Sequence, residues 1–364
     1  SVSYSSGKNE NGWASSFLLS QWSGDGYVYN TSGAGTTYFG AIGYQPEGSK
    51  HALNLSVLGA AQWHHQRDVW VSIRDYEFFG EDGIDQRWNS NGGVMSVTDE
   101  DGNTTQEEFS MRRNFYNKPL ATFNWDWTIT ENLTLNTSVY GSAGRGGGTG
   151  PRGRNYDVHP YQQDLYSFMY EDSLTAFRTE DGYVDFDAIV EDNQASAQPH
   201  DGSVNSNFAG QLIGSNQWSI AADTAGTIST GAGMIRRASM NSHDWVGAIS
   251  NLEYQKDNIR ASIGLDLRRY KGYHYRALNN LMGFDAYFSG GNRNNSGQMI
   301  NTMVEASPFN NTGLNGPKID YYNVGLVNWV GVNGLVEYNN NDNLTAVVQA
   351  GFSNQSYPRE DYFD

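Results

Sequence analysis

Apolar and polar residues alternate along long stretches of this chain. From 121 to 130, Ala121, Phe123, Trp125, Trp127 and Ile129 fall on one side, and Thr122, Asn124, Asp126, Thr128 and Thr130 on the other. After a short polar turn the pattern restarts, with Leu133, Leu135, Thr137 and Val139 set against Thr134, Asn136, Ser138 and Tyr140. Ile259, Ala261, Ile263, Leu265 and Leu267 oppose Arg260, Ser262, Gly264, Asp266 and Arg268, and Leu344, Ala346, Val348, Ala350 and Phe352 share a further face. Side chains leave a strand alternately on its two faces, so a period of two predicts strands. The same rule with weaker contrast predicts strands at about 12–22, 36–46, 51–65, 244–256 and 321–339. With the opening stub Ser1-Val2-Ser3-Tyr4-Ser5 there are ten candidates. Helical patterning is thin and confined to 160–180 and 185–196.

The connections fall into two sets. Lys8–Asn11, Pro46–Lys50, Thr130–Asn132, Gln255–Asn258 and Asn339–Asn343 are short and polar, the composition of hairpin turns. The stretches 23–35, 66–117, 146–243 and 273–320 are long. Short and long alternate along the chain. A soluble sandwich gives no reason for this asymmetry, and loops beyond about 15 residues are uncommon in compact soluble domains. An outer-membrane barrel does give a reason: its periplasmic turns are short and its extracellular loops long. The pattern predicts an all-β fold, an antiparallel transmembrane β-barrel. Its polar face, with Asp126, Arg260, Asp266 and Arg268, lines a wet lumen.

Composition agrees with this reading. The 364 residues carry 23 Lys+Arg against 40 Asp+Glu, a net charge of −17, with no Cys and 42 Gly. Absence of Cys excludes disulfides, thiolate metal sites and a cysteine nucleophile. The acidic balance argues against nucleic-acid binding. There is no apolar run near 20 residues, which excludes a transmembrane helix but not a barrel, whose strands need only about 9–11 alternating residues. Aromatics at 13% argue against disorder. The chain opens directly on strand-like alternation, so a signal peptide is expected to be absent or removed, and neither end reads as a domain boundary, so a segment of a longer protein is expected.

Gly7-Lys8-Asn9-Glu10-Asn11-Gly12-Trp13-Ala14, followed by Ser20-Gln21-Trp22-Ser23-Gly24-Asp25-Gly26-Tyr27, resembles the strand–turn–strand block of Bacteroidetes TonB-dependent outer-membrane receptors. Lys50 to Ala60 is similar to the next up-strand of that family, and Gly144 to Pro151 to the Gly-rich opening of its large mid-barrel loop. The resemblance covers roughly the first 150 residues by motif and the rest by pattern. It implies that residues 1–364 are part of a 22-stranded receptor barrel, with the remaining strands, the plug and the TonB-contacting box lying elsewhere. In the family a carboxypeptidase-regulatory-like domain often precedes the plug. The implied function is TonB-energised import of a scarce nutrient (siderophore, cobalamin, glycan or peptide) across the outer membrane of a Gram-negative bacterium. The implied partners are TonB, the nutrient, outer-membrane lipid and, in related glycan importers, a surface lipoprotein. No cofactor and no enzymatic step are implied.

Local motifs add little chemistry. His64 and His65 are neighbours on a strand and point to opposite faces, so they cannot both ligate one metal. Asp99-Glu100-Asp101-Gly102-Asn103 lacks an acidic residue at the twelfth position, Ser110, that a calcium loop requires. The glycine run 144–153 lacks the Gly-Lys-Ser/Thr ending of a phosphate loop and reads as a flexible loop at a barrel mouth. With 40 acidic residues a carboxylate pair is uninformative, and Gly-x-Ser-x-Gly is missing. The candidate substrate contacts are Trp63 and His64 at a strand rim, Arg145 in the glycine run, and Tyr156, Tyr161, Tyr166 and Tyr170 among the aromatics of the longest loop. Alternative readings are a passive porin, a soluble secreted carbohydrate-binding protein or glycosidase, and a structural subunit of an outer-membrane assembly.

Overall fold

The computed structural model describes residues 1–67, 73–80, 83–153, 177–196, 211–213, 234–284, 286–289, 298–309, 313–340 and 343–363. The first half contains β1 (Val2–Ser5), β2 (Trp13–Gly24), β3 (Gly33–Tyr44), β4 (His51–His65), α1 (Ile73–Phe78), β5 (Gly92–Thr98), β6 (Thr104–Ser110), β7 (Arg113–Asn117), β8 (Leu120–Thr130) and β9 (Leu133–Gly153). The second half contains β10 (Val184–Asp185), α2 (Phe186–Ser196), β11 (Gln211–Ile213), β12 (Met234–Lys256), β13 (Ile259–Asn280), β14 (Ala286–Ser289), β15 (Gln298–Ile300), β16 (Ile319–Asn339), β17 (Thr345–Ser356) and β18 (Arg359–Asp361).

One antiparallel sheet of 12 strands dominates, in the order β1-β2-β3-β4-β7/β8-β9-β12-β13-β16-β17/β18. The ten expected strands are all present in chain order. The two extra ones arise where proline interrupts a span: Lys118-Pro119 separates β7 from β8, and Pro358 separates β17 from β18. Proline has no N–H to give to the ladder, so a strand breaks or shifts there. The short turns form as expected. Gly12 sits at φ 86°, and a Cβ there would lie 2.4 Å from the Pro46 nitrogen. Only glycine fits that crossing of two turns.

The register sorts the sheet into two faces. Leu19, Tyr38 and Gly59 align across β2, β3 and β4; Phe123, Val139, Ala248, Leu267 and Val330 align across β8 to β16. Along β13 the apolar positions run from Ile259 to Leu267; on β12 they run from Tyr254 to Val246 and on β16 from Tyr338 to Val330. Each stretch matches the ~9–11 residues a barrel strand needs to cross hydrocarbon. These side chains are uncovered, Ile263, Val246 and Val336 being 55%, 52% and 53% exposed. An apolar band of this extent is a liability in water and a requirement in lipid. Thr137 and Ser250, two hydroxyls within the band, bond each other at 2.9 Å, which spares lipid an unsatisfied donor. The opposite face carries Glu253–Arg260 at 2.8 Å and Asp266–Arg268 at 2.6 Å, charges that belong in a wet lumen. No described helix is long and apolar enough to cross a membrane.

The strands outrun the hydrocarbon. β12 and β13 have 23 and 22 residues, a rise of roughly 70 Å along the strand, or about 50 Å when tilted near 45°, against a hydrocarbon core of about 30 Å. The excess lies at the long-loop end and is covered there by its own loops. Met240, Tyr275 and Val324 pack beneath Val304 and Ala306. Met234 meets Phe109, Phe186 and Ile189 from β6 and α2, and Ile235, Leu278 and Ile319 meet Phe284, Tyr287 and Ile300. A wall standing in lipid needs no such cover; a wall standing in water does.

The glycine run differs from the expectation of a flexible loop. Gly144 to Gly153 continue β9, paired with β7 on one side and β12 on the other. A Cβ on Gly146 would stand 2.7 Å from the Phe115 carbonyl oxygen, and one on Gly147 2.6 Å from that of Ser239. Here glycine serves close approach of backbones rather than freedom of the chain. Of the two helical expectations, 185–196 is met by α2, and 160–180 lies almost wholly outside the described residues.

Candidate functional site

The alternation that forms the wall also sorts the residues at its long-loop end. Three Arg-Arg pairs, 112–113, 236–237 and 268–269, each send one guanidinium to each face. Arg113 and Arg236 turn to the outward face: Arg113 lies 3.7 Å from the centroid of the Trp63 ring, and Arg236 lies 3.9 Å from that of Phe109 and donates to the Ser110 carbonyl at 2.6 Å. Burial, with the nearby Arg113 charge, lowers the Arg236 pKa to about 9.

Arg112 and Arg237 turn to the lumen. They converge over Gly150, where a Cβ would lie 2.9 Å from Arg112 Nη1 and 2.8 Å from Arg237 Nη2. Below them the glycine floor opens a cleft of about 260 Å³, lined among others by Gln66, Asn114, Lys118, Gly146, Ser239 and Asn241. No carboxylate stands in that described lining, although the chain carries 40 acidic residues. The arrangement presents cations, amides and a hydroxyl toward the lumen, donors suited to a carboxylate or other oxyanion.

Next to this cleft Asp320 joins three wall strands. Its Oδ1 accepts from Arg152 at 2.9 Å and its Oδ2 from Arg276 at 2.8 Å, and the Tyr287 hydroxyl donates at 3.3 Å. Asp320 adopts φ 64°, a left-handed conformation that Asp tolerates better than most residues.

A second concavity lies among the loops. Spaces of about 810 and 530 Å³ share Tyr29, Asp181 and Tyr183. The Arg87 guanidinium lies 4.3 Å from the centroid of the Tyr29 ring. Burial, then the Asp85 charge, pushes the Tyr183 hydroxyl up to about 12. Several carboxylates here are structural: Asp185 caps α2 through the Ala188 N–H at 2.9 Å, and Asp187 accepts from the Ser96 N–H and hydroxyl at 2.8 and 2.6 Å. No group of His, Asp and Glu among the described residues is arranged to hold a metal ion.

The residues singled out in the sequence are distributed as follows. His64 faces the lumen beside Asn114, its pKa lowered by burial. Trp63 is on the outward face under Arg113. Arg145 is also outward and pairs with Asp244 at 2.9 Å. Tyr156, Tyr161, Tyr166 and Tyr170 lie outside the described residues. Asp99 closes the β5–β6 hairpin by accepting from the Asp101 and Asn103 N–H groups at 3.0 and 2.8 Å, as a solvated tip would. The lumen cleft was missed, although the Arg-Arg pairs signal it.

No protein-family model matches the chain, and no curated protein matches it in sequence. Among solved structures, it is similar to the ferric citrate transporter FecA in the unliganded form, with a TM-score of 0.52 and 9% identity over 99% of this chain and 35% of that one. It is also similar to the ferric-catecholate import receptor Fiu from E. coli K12, with 10% identity. The open form has a TM-score of 0.47 over 96% of this chain and 41% of that one; the closed form has 0.44 over 98% and 44%. The chain thus spans about a third of FecA, 35% of its length. The likeness is one of fold: an all-β chain whose large antiparallel sheet resembles part of the β-barrel of that structure.

Proposed function

We propose that this chain is a section of barrel wall from a TonB-dependent receptor in a Gram-negative outer membrane, and that the whole protein imports a scarce nutrient. The observation that carries the reading is the outward apolar band, one membrane-crossing stretch tall on β8 to β16, with a charged opposite face and the long loops at one end. The fold likeness to a ferric citrate transporter supports the same reading. On this view the ligand enters from the loop end and meets His64 and the cations Arg112, Arg237 and Lys118 on the lumen face. That chemistry favours, within siderophores, cobalamin, glycans and peptides, a substrate bearing anionic groups. A plug domain in the barrel rearranges when TonB pulls, and the step is binding and gating with no bond broken. Outer-membrane lipid surrounds the band, and a surface lipoprotein is a proposed partner at the loops.

The test is uptake by the native host, with the gene deleted and, separately, with TonB deleted. The reading expects growth on one scarce nutrient to be lost in both strains. Uptake that needs the gene but not TonB would indicate a passive porin. Uptake unchanged by gene deletion would indicate a structural role. A protein that stays monodisperse without detergent would indicate a secreted soluble one.

A further inference from the structure

Immediately above the apolar band, the outward face of β13 changes character. Leu267 is the last apolar residue of the band; Arg269 and Lys271 follow on the same face before the covered cluster at Tyr273 and Tyr275. Arg269 stands between Val246 on β12 and Asn328 on β16, and Lys271 between Asp244 and Leu326. Asp244 is the acidic cross-strand neighbour, and both its oxygens are engaged. Oδ1 accepts from Arg145 at 2.9 Å and Oδ2 from the Tyr273 hydroxyl at 2.7 Å. Arg145 also donates to the Gly144 and His243 carbonyls, each at 2.8 Å. Lys271 Nζ lies 5.2 Å from the centroid of the Tyr273 ring. Among the described residues neither Arg269 nor Lys271 has an ion pair. The result is a braced Arg145–Asp244–Tyr273 group with Lys271 beside it and Arg269 one outward position below, two cations without an ion pair at the upper hydrocarbon edge in a chain of net charge −17.

The opposite edge differs. Its outward residues are mostly aromatic, Trp13, Tyr44, His51, Trp127, Tyr254 and Tyr338, with the single cation Lys256 opposite Ile259. The loop-side edge differs in placing two cations, Arg269 and Lys271, at successive outward positions of one strand. Below them Leu267, Leu265 and Ile263, flanked by Val330 and Val332, form an uninterrupted apolar track.

We propose that Arg269 and Lys271, next to the Arg145–Asp244–Tyr273 brace, bind the phosphorylated headgroup of a lipid in the outer leaflet, whose acyl chains lie along the apolar track. A guanidinium meets phosphate through paired hydrogen bonds, and an ammonium adds a point charge. Basic groups at a membrane edge recognise charged headgroups in this way. The inference rests on the membrane reading proposed above.

The test uses the intact receptor in nanodiscs of zwitterionic lipid, titrated with diphosphoryl lipid A, with its dephosphorylated form and with inorganic phosphate. The wild-type protein is expected to retain the diphosphorylated lipid, and the R269Q/K271Q variant to bind it at least tenfold more weakly. Neither should distinguish itself on the dephosphorylated lipid, and millimolar inorganic phosphate should not displace the lipid. Equal binding by wild type and variant overturns the site. Full displacement by inorganic phosphate overturns the lipid as its ligand. Heat-modifiable mobility of both proteins on gels reports barrel insertion independently: failure of the wild type to insert would sink the membrane reading itself, whereas inserted protein without selectivity sinks only this inference.

Discussion

His65 Nδ1 and Glu108 Oε1 lie 2.8 Å apart and tie the upper end of β4 to β6 in the loop above it. The Ser32 N–H and hydroxyl donate to the same Glu108 oxygen at 3.2 and 2.5 Å. Burial lowers the His65 pKa from 6.5 to about 4, so at neutral pH a neutral imidazole donates to the carboxylate. Burial alone would raise Glu108, but hydrogen bonds from Ser32 and His65 hold it below its usual range.

Acidification is therefore expected to open this clasp. An opened loop takes up a proton on His65 more readily than a closed one. The closed state is fully supported above pH 6.5 and loses support as pH falls toward 4, by up to about 3 kcal/mol for a shift of that size. Glu108, with its lowered pKa, adds to the loss in the same direction. Amide exchange over 104–110 should accelerate across this window. In His65→Gln, which keeps a donor and does not titrate in this range, the acceleration should be much reduced; an unchanged profile would show that the clasp is not what closes the loop.

Ile263 stands at the centre of the band on β13 and is 55% exposed, whereas its neighbour Ser262 faces the lumen. Ile263→Arg should impair barrel assembly by roughly 2–4 kcal/mol, and Ser262→Arg should be tolerated. Heat-modifiable gel mobility after refolding into vesicles measures the difference. Equal effects would mean that the faces are reversed or the surroundings are not lipid.

Asp320 is 10% exposed at its side chain and holds Arg152 and Arg276, whose side chains are 15% and 24% exposed. Asp320→Ala leaves two largely buried guanidinium groups without this partner and should cost about 3–5 kcal/mol. The loss is expected as a lower urea midpoint and faster proteolysis near 319–322.

Two glycines separate close approach from mere composition. Gly147→Ala places a methyl 2.6 Å from the Ser239 carbonyl and should weaken the β9–β12 pairing by about 1–3 kcal/mol. Gly40 faces the band with nothing within 4 Å of a Cβ, so Gly40→Ala should be neutral or slightly stabilising. Thermal unfolding of the two variants side by side checks the contrast.

Period-two alternation by itself determined the ten wall strands and their division into an apolar and a polar face, because a strand in a membrane-spanning barrel wall must meet lipid on one side and water on the other at every residue. Turn composition determined which end carries the loops. The sequence did not reveal that β9, β12 and β13 continue far beyond the hydrocarbon. There the outward residues, Tyr273, Tyr275 and Met240, are covered by Val304 and Ala306 from a distant connection, so local contrast between faces no longer reports the environment. The glycine run misled for a related reason: Gly146 and Gly147 look like freedom in one dimension and are close contacts in three. The lumen cleft is a partial case. Each Arg-Arg pair dictates one guanidinium per face, a local rule. That Arg112 and Arg237 meet over Gly150, though 125 positions separate them (237 − 112 = 125), depends on the pairing of β7, β9 and β12. Only the folded sheet, through its register, could decide that.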